Sequence, residues 1–147
     1  MDTKRLLIGT LVGGIALFAT GYLIFDLTFA NFYAANVGSA TGVHRDTQLV
    51  WALALANLAY AALIMFAIGN RTGTLSLAEG ARIGAIAGFL MWCTVDFGFY
   101  GSSNVANLTR TVVDPLLEIV HGGIGGAAIA AVLAKIAKPE PRAHART

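Results

Sequence analysis

The stretch Trp92–His121, WCTVDFGFYGSSNVANLTRTVVDPLLEIVH, decides how this chain folds. It leaves an apolar run, crosses a short polar segment at Ser102–Val113 and enters a second apolar run at Pro115. Asp96, Asp114, Glu118 and His121 sit inside or beside runs otherwise suited to lipid. Ionisable groups are costly in such a setting, and where they occur they are commonly functional.

Working outward, four apolar runs emerge: Leu6–Phe25, Leu49–Gly69, Ile83–Gly101 and Pro115–Ala134. Each approaches the ~20 residues a helix needs to cross ~30 Å of hydrocarbon. Composition agrees, with 56% apolar and 12% charged residues, half the charge of roughly 25% usual in soluble domains. The expected fold class is an all-α membrane protein, a four-transmembrane-helix bundle occupying residues 1–137, with a disordered tail at 138–147. The expected spans are about 6–25, 49–69, 83–101 and 115–134. Lys4 and Arg5 ahead of the first run imitate a signal peptide. That run exceeds the ~7–15 residues of a signal core, however, and no small-x-small cleavage site follows it, so it reads as a retained span.

Basic residues give the orientation. Lys4, Arg5, Arg71, Arg82, Lys135, Lys138, Arg142 and Arg146 fall on one side of the expected spans, and Arg45 and Arg110 on the other. The positive-inside rule then places both termini in the cytoplasm. A net charge of +2 with dispersed basic residues gives no nucleic-acid surface. The lone Cys93 excludes an intrachain disulfide and reads as a packing residue. Gly9/Gly13, Ala52/Ala56, Gly84/Gly88 and Gly122/Gly126 are small-xxx-small pairs, the pattern that brings membrane helices close and supports self-association.

Counting back from the basic residue of each helix sets a polar layer. Asp96 lies fourteen residues from Arg82, His121 fourteen from Lys135 and Asn57 fourteen from Arg71. Each is then ~21 Å from the same boundary at ~1.5 Å per residue. Asp114, Glu118 and His121 share one helical face by their spacing of four and three. With Asp26 near the outer surface above them, Asp26, Asp96, Asp114 and Glu118 gather as an outward-facing acidic pocket or vestibule, and Asn57, Tyr60 and Tyr100 are the expected partners of Asp96. Plainer roles compete. Asp114 before Pro115 has the form of a helix N-cap, Glu118 suits a first helical turn, and His121 suits a hydrogen-bonded packing position. Phe25-Asp26 followed by Tyr33 and Asn36 also echoes Val95-Asp96 followed by Tyr100 and Asn104, which sketches a parallel repeat.

The ligand- or proton-binding candidates are therefore Asp96, His121, Glu118, Asn57, Tyr100, Asp26, Asp114 and Asn104. The leading functional expectation is a transporter-like or small-ligand-binding protein. Its rival is an accessory or structural subunit of a larger membrane complex. A metal-dependent membrane enzyme comes third, since Glu118-x-x-His121 has the carboxylate–imidazole spacing of di-iron bundles, which need two such motifs. No metal or cofactor is specified by the sequence. The expected partners are the lipid bilayer and a second copy or a larger membrane complex.

Three stretches, GTLVGGIALFATGYLIFD at 9–26, GSATGV at 38–43 and DFGFYGSSNVANLTRTVVD at 96–114, resemble a group of small bacterial four-helix integral membrane proteins of unknown function. Asp96, Tyr100, Asn104 and Asn107 carry the most specific part of the likeness. The resemblance implies the same four-helix fold and a bacterial inner-membrane location, and it implies no activity.

Overall fold

Side-chain caps set where two of the long helices begin. The Ser76 hydroxyl accepts from the Glu79 backbone N–H at 3.2 Å, and the Ser76 N–H donates to the Glu79 carboxylate at 3.0 Å. This reciprocal pair is a capping box. Asn107 starts the last helix: its side-chain oxygen accepts from the Arg110 N–H at 3.0 Å, and its carbonyl accepts from the Thr111 N–H at 3.1 Å. Both helices therefore begin earlier than hydropathy alone suggests. Asp114 is not the N-cap; Pro115 lies inside a helix already nucleated at Asn107.

The computed structural model describes residues 2–69 and 75–136. Its elements are α1 (Thr3–Gly21), a π-helical turn (Tyr22–Thr28), α2 (Ala30–Ala35), α3 (Val50–Ile68), α4 (Leu77–Ser102) and α5 (Leu108–Ile136). Four helices, Thr3–Thr28, α3, α4 and α5, are long and apolar enough to cross a membrane. The expected tail and the basic residues Arg71, Lys138, Arg142 and Arg146 lie outside the described residues.

Glycines write the packing. Gly80, Gly84 and Gly88 of α4 run antiparallel against Gly126, Gly122 and the Glu118 carbonyl of α5. A Cβ on Gly84 would meet the Gly122 carbonyl, so only bare backbone permits this approach. Gly9 and Gly14 of α1 take Met65 and Leu58 of α3, and Gly125 of α5 takes Leu17 of α1. In the Ala52/Ala56 pair, Ala52 is half-buried and Ala56 is exposed. Neighbouring helices alternate in direction. Thr3, Ile68, Leu77 and Ile136 thus mark one end of the bundle, the terminal end, and Thr28, Val50, Ser102 and Leu108 the other, the loop end.

The two halves of the bundle differ in content. Ala61, Ile64, Met65 and Ile68 pack with Ile129, Ala130 and Leu133 toward the terminal end, and Leu17 closes that apolar core. Beyond Leu17 the interior turns polar. The loop end is stitched by a single antiparallel bridge between Val37 and Ala106, flanked by Ala40 N–H to the Asn104 carbonyl at 3.0 Å and Asn107 amide to Asn36 at 3.1 Å. Gly38 lies so close to the Asn104 carbonyl that a side chain there has no room. The wall between α3 and α4 is the slack one, and it leaves an open apolar groove lined by Leu63, Ala67, Leu90 and Met91.

The glycine contact yields the first prediction. Gly84→Val should lower the detergent melting temperature, by overpacking worth ~1–3 kcal/mol or more. Gly98→Ala, where a Cβ meets nothing within 4 Å, should not lower it, since alanine favours a helix over glycine. Equal melting temperatures for both variants would contradict the α4–α5 packing.

Candidate functional site

Asp114, Glu118 and His121 share the inward face of α5, and their exposures are 6%, 1% and 4%. This is the only place among the described residues where acidic side chains and a histidine are buried together. Each finds its partner on a different element.

His121 bridges two helices. Its Nε2 lies 2.9 Å from the Leu17 carbonyl of α1, and its Nδ1 lies 3.0 Å from Glu118 Oε2. Gly21 leaves the ring its space, since a Cβ there would approach Nε2 to 3.3 Å. Tyr60 and Phe25 hold the ring edge-to-face, with centroids at 5.7 and 5.4 Å. The Tyr60 hydroxyl donates to Glu118 Oε2 at 3.2 Å. It reaches that oxygen by lying over Gly88 and Gly122, where either Cβ would strike it. One glutamate oxygen thus receives Tyr60 of α3 and meets His121 of its own helix. Hydrogen bonds of this kind are what make a buried carboxylate tolerable.

Asp114, one turn nearer the loop end, accepts a hydrogen bond from the Tyr33 hydroxyl of α2. Arg110 lies over the Tyr33 ring, 4.9 Å from its centroid, as a cation–π contact. Burial, and after it the bond to Asp114, push the Tyr33 phenol above its ordinary range, so it stays a donor. Phe25 packs edge-on against both Tyr33 and His121 and joins the two clusters through one ring.

The other candidates lie elsewhere. Asp26 is exposed and accepts from Gln48 at 3.1 Å. Asn57 donates to the Leu53 carbonyl of its own helix at 2.9 Å. Tyr100 and Asn104 are exposed, and Asn104 contributes its backbone carbonyl to the loop bridge. Asp96 is half-buried on α4, within the fields of Asp114, Arg110 and Glu118, and one of its carboxylate oxygens is buried without a hydrogen-bond partner. The acidic groups therefore occupy separate settings rather than one vestibule. The repeat is not echoed in side-chain use either, since Tyr33 is engaged with Asp114 while Tyr100 is exposed.

Asp96 and His121 are not level. The α4–α5 register sets Gly84 against Gly122 and Gly88 against Glu118. Extended by one turn and then another, it sets Asp96 against Arg110, about 16 Å along the axis from His121. Counting from basic residues misplaces the pair because Arg82 is level with Ile124, about three turns from Lys135. Sequence reasoning did not place Tyr33 beside Asp114 or Tyr60 beside Glu118. A tyrosine inside an otherwise apolar run such as Leu58–Ile68 is a usable signal, since a buried hydroxyl needs a partner.

Among the described residues, no three His, Cys, Asp or Glu side chains converge as metal ligands, and both ring nitrogens of His121 are engaged. No protein-family model, curated protein or solved structure matches the chain.

Tyr60→Phe removes one donor from Glu118 and should cost ~0.5–2 kcal/mol in a membrane setting. His121→Leu leaves Glu118 buried with one partner fewer and cuts the tie to Leu17, for ~3–5 kcal/mol. Asp26→Asn, at an exposed site, should fall within ~0.5 kcal/mol. Reversible unfolding in mixed micelles ranks the three, and any order other than His121, Tyr60, Asp26 contradicts the network.

Proposed function

We propose that this chain is an accessory or structural subunit of a larger membrane complex. It is inserted in a bacterial inner membrane as a four-span bundle with both termini cytoplasmic. One observation carries the functional reading. Asp114, Glu118 and His121, which a transport path would turn toward water, are instead hydrogen-bonded inside the bundle, Asp114 by Tyr33 and Glu118 by Tyr60 and His121. Sealed polar networks fix the register and partners of helices. The four long apolar helices support the membrane setting. Lys4, Arg5, Arg82 and Lys135 gather at the terminal end while Arg45 and Arg110 lie at the loop end, and this asymmetry supports the orientation. Exposed Leu11, Ile15, Leu55, Phe66, Leu90 and Leu116 give every long helix an apolar outer face, suited to lipid or to the helices of other subunits.

A second reading, a transporter-like or small-ligand-binding protein, is favoured by Asp96. Its unpartnered carboxylate oxygen and the unpartnered Trp92 indole N–H are one turn apart on α4. Four spans make a thin wall for a conduction path, so that reading calls for a homo-oligomer.

Affinity purification in mild detergent, from cells expressing the chain at its natural level, separates the two. The accessory role predicts a stoichiometric membrane-protein partner that is retained when Asp96 is changed to Asn. A chain that elutes only as itself, together with solute uptake in proteoliposomes that Asp96→Asn abolishes, would replace the accessory reading with the transport one.

A further inference from the structure

The Leu17 carbonyl decides the tautomer of His121. A carbonyl oxygen only accepts, so Nε2, 2.9 Å away, carries a hydrogen and donates it. The other nitrogen, Nδ1, faces Glu118 Oε2 at 3.0 Å. A hydrogen bond between these two atoms needs one hydrogen. With none, an imidazole lone pair faces a carboxylate. With two, either an N–H and an O–H point at each other or, with the second hydrogen on Oε1, the pair carries a net positive charge. One hydrogen gives either imidazolium with carboxylate or imidazole with carboxylic acid, and in both forms the pair carries no net charge.

The surroundings favour that neutrality. Tyr60 donates from α3 to the same glutamate oxygen and adds no charge. The π-helical turn contributes only the Phe25 ring. From α4 come Gly84 and Gly88 and, farther off, Asp96. On α5 itself Asp114 is one turn away, tied to Tyr33, with Arg110 beyond it. With Glu118 and His121 both almost fully buried, an uncompensated charge on either would be held at a high desolvation cost.

We infer that Glu118 and His121 form one buried proton-binding site, holding a single proton between Oε2 and Nδ1. The proton comes from bulk water when the chain folds and no other bond changes. Removing the proton breaks the Oε2–Nδ1 bond and frees the imidazole from the orientation that ties α5 to α1 at Leu17, next to the π-helical turn. Adding a second one on Oε1 leaves the buried pair with a net positive charge.

Solid-state NMR of the full chain in lipid bilayers, with labelled histidine and glutamate, counts the protons directly. Between about pH 5 and 8, where an ordinary histidine changes charge, Nε2 of His121 should stay protonated. Nδ1 and the Glu118 carboxyl should carry one proton between them throughout. In Glu118→Gln, His121 should become neutral with Nε2–H retained and Nδ1 bare. His121 changing charge across that range beside a permanent carboxylate would overturn the inference, as would an imidazolium that persists in Glu118→Gln. The wild-type spectra alone decide the proton count if that variant does not insert.

Discussion

A glutamate with almost no exposure, in a chain with four membrane-length helices, is the constraint on which the rest of the structure depends. Glu118 is stable there because Tyr60 and His121 both meet its Oε2, from different directions. Tyr60 would not reach it in a looser bundle. Tyr60 lies over two glycines of α4 and α5, and His121 occupies the room that Gly21 leaves on α1. The glycines thus do two things at once. They bring the backbones together, as small residues do in membranes, and they open the space in which the polar groups meet.

This arrangement links every long helix. α5 supplies Glu118 and His121, α3 supplies Tyr60, α1 supplies the Leu17 carbonyl and α4 supplies the glycine floor. The apolar core toward the terminal end holds the helices by packing alone, which is non-directional and tolerates sliding. The polar cluster adds direction, because a shift of one turn along any helix would strand a buried donor or acceptor. Asp114 and Tyr33 extend the same logic to the loop end, where α2 and the bridge between Val37 and Ala106 cover the helix ends.

The four helices were legible in the sequence because lipid-spanning length and low charge are strong signals that tertiary context does not overturn. The shared inward face of Asp114, Glu118 and His121 was legible too, since helical periodicity fixes which residues lie together. Helix starts were harder. Ser76 and Asn107 act through local side-chain bonds that hydropathy does not register, although the Ser-x-x-Glu spacing of a capping box was present to be found. Relative depth was not legible at all. It depends on the register between helices, which the glycine contacts set and the positions of basic residues do not. That is why Asp96 and His121 look level in the sequence and lie about three turns apart in the fold.

The central claim is that the polar face of α5 is sealed from water, and hydrogen exchange tests it most directly. The chain, labelled at histidine nitrogens and reconstituted in bilayers, would be transferred to D2O while the ring N–H signals are followed. The sealed network predicts that the Nε2–H of His121 persists long after that of exposed His44 has gone. Loss of both signals at the same rate would contradict it and would place His121 in a hydrated cavity.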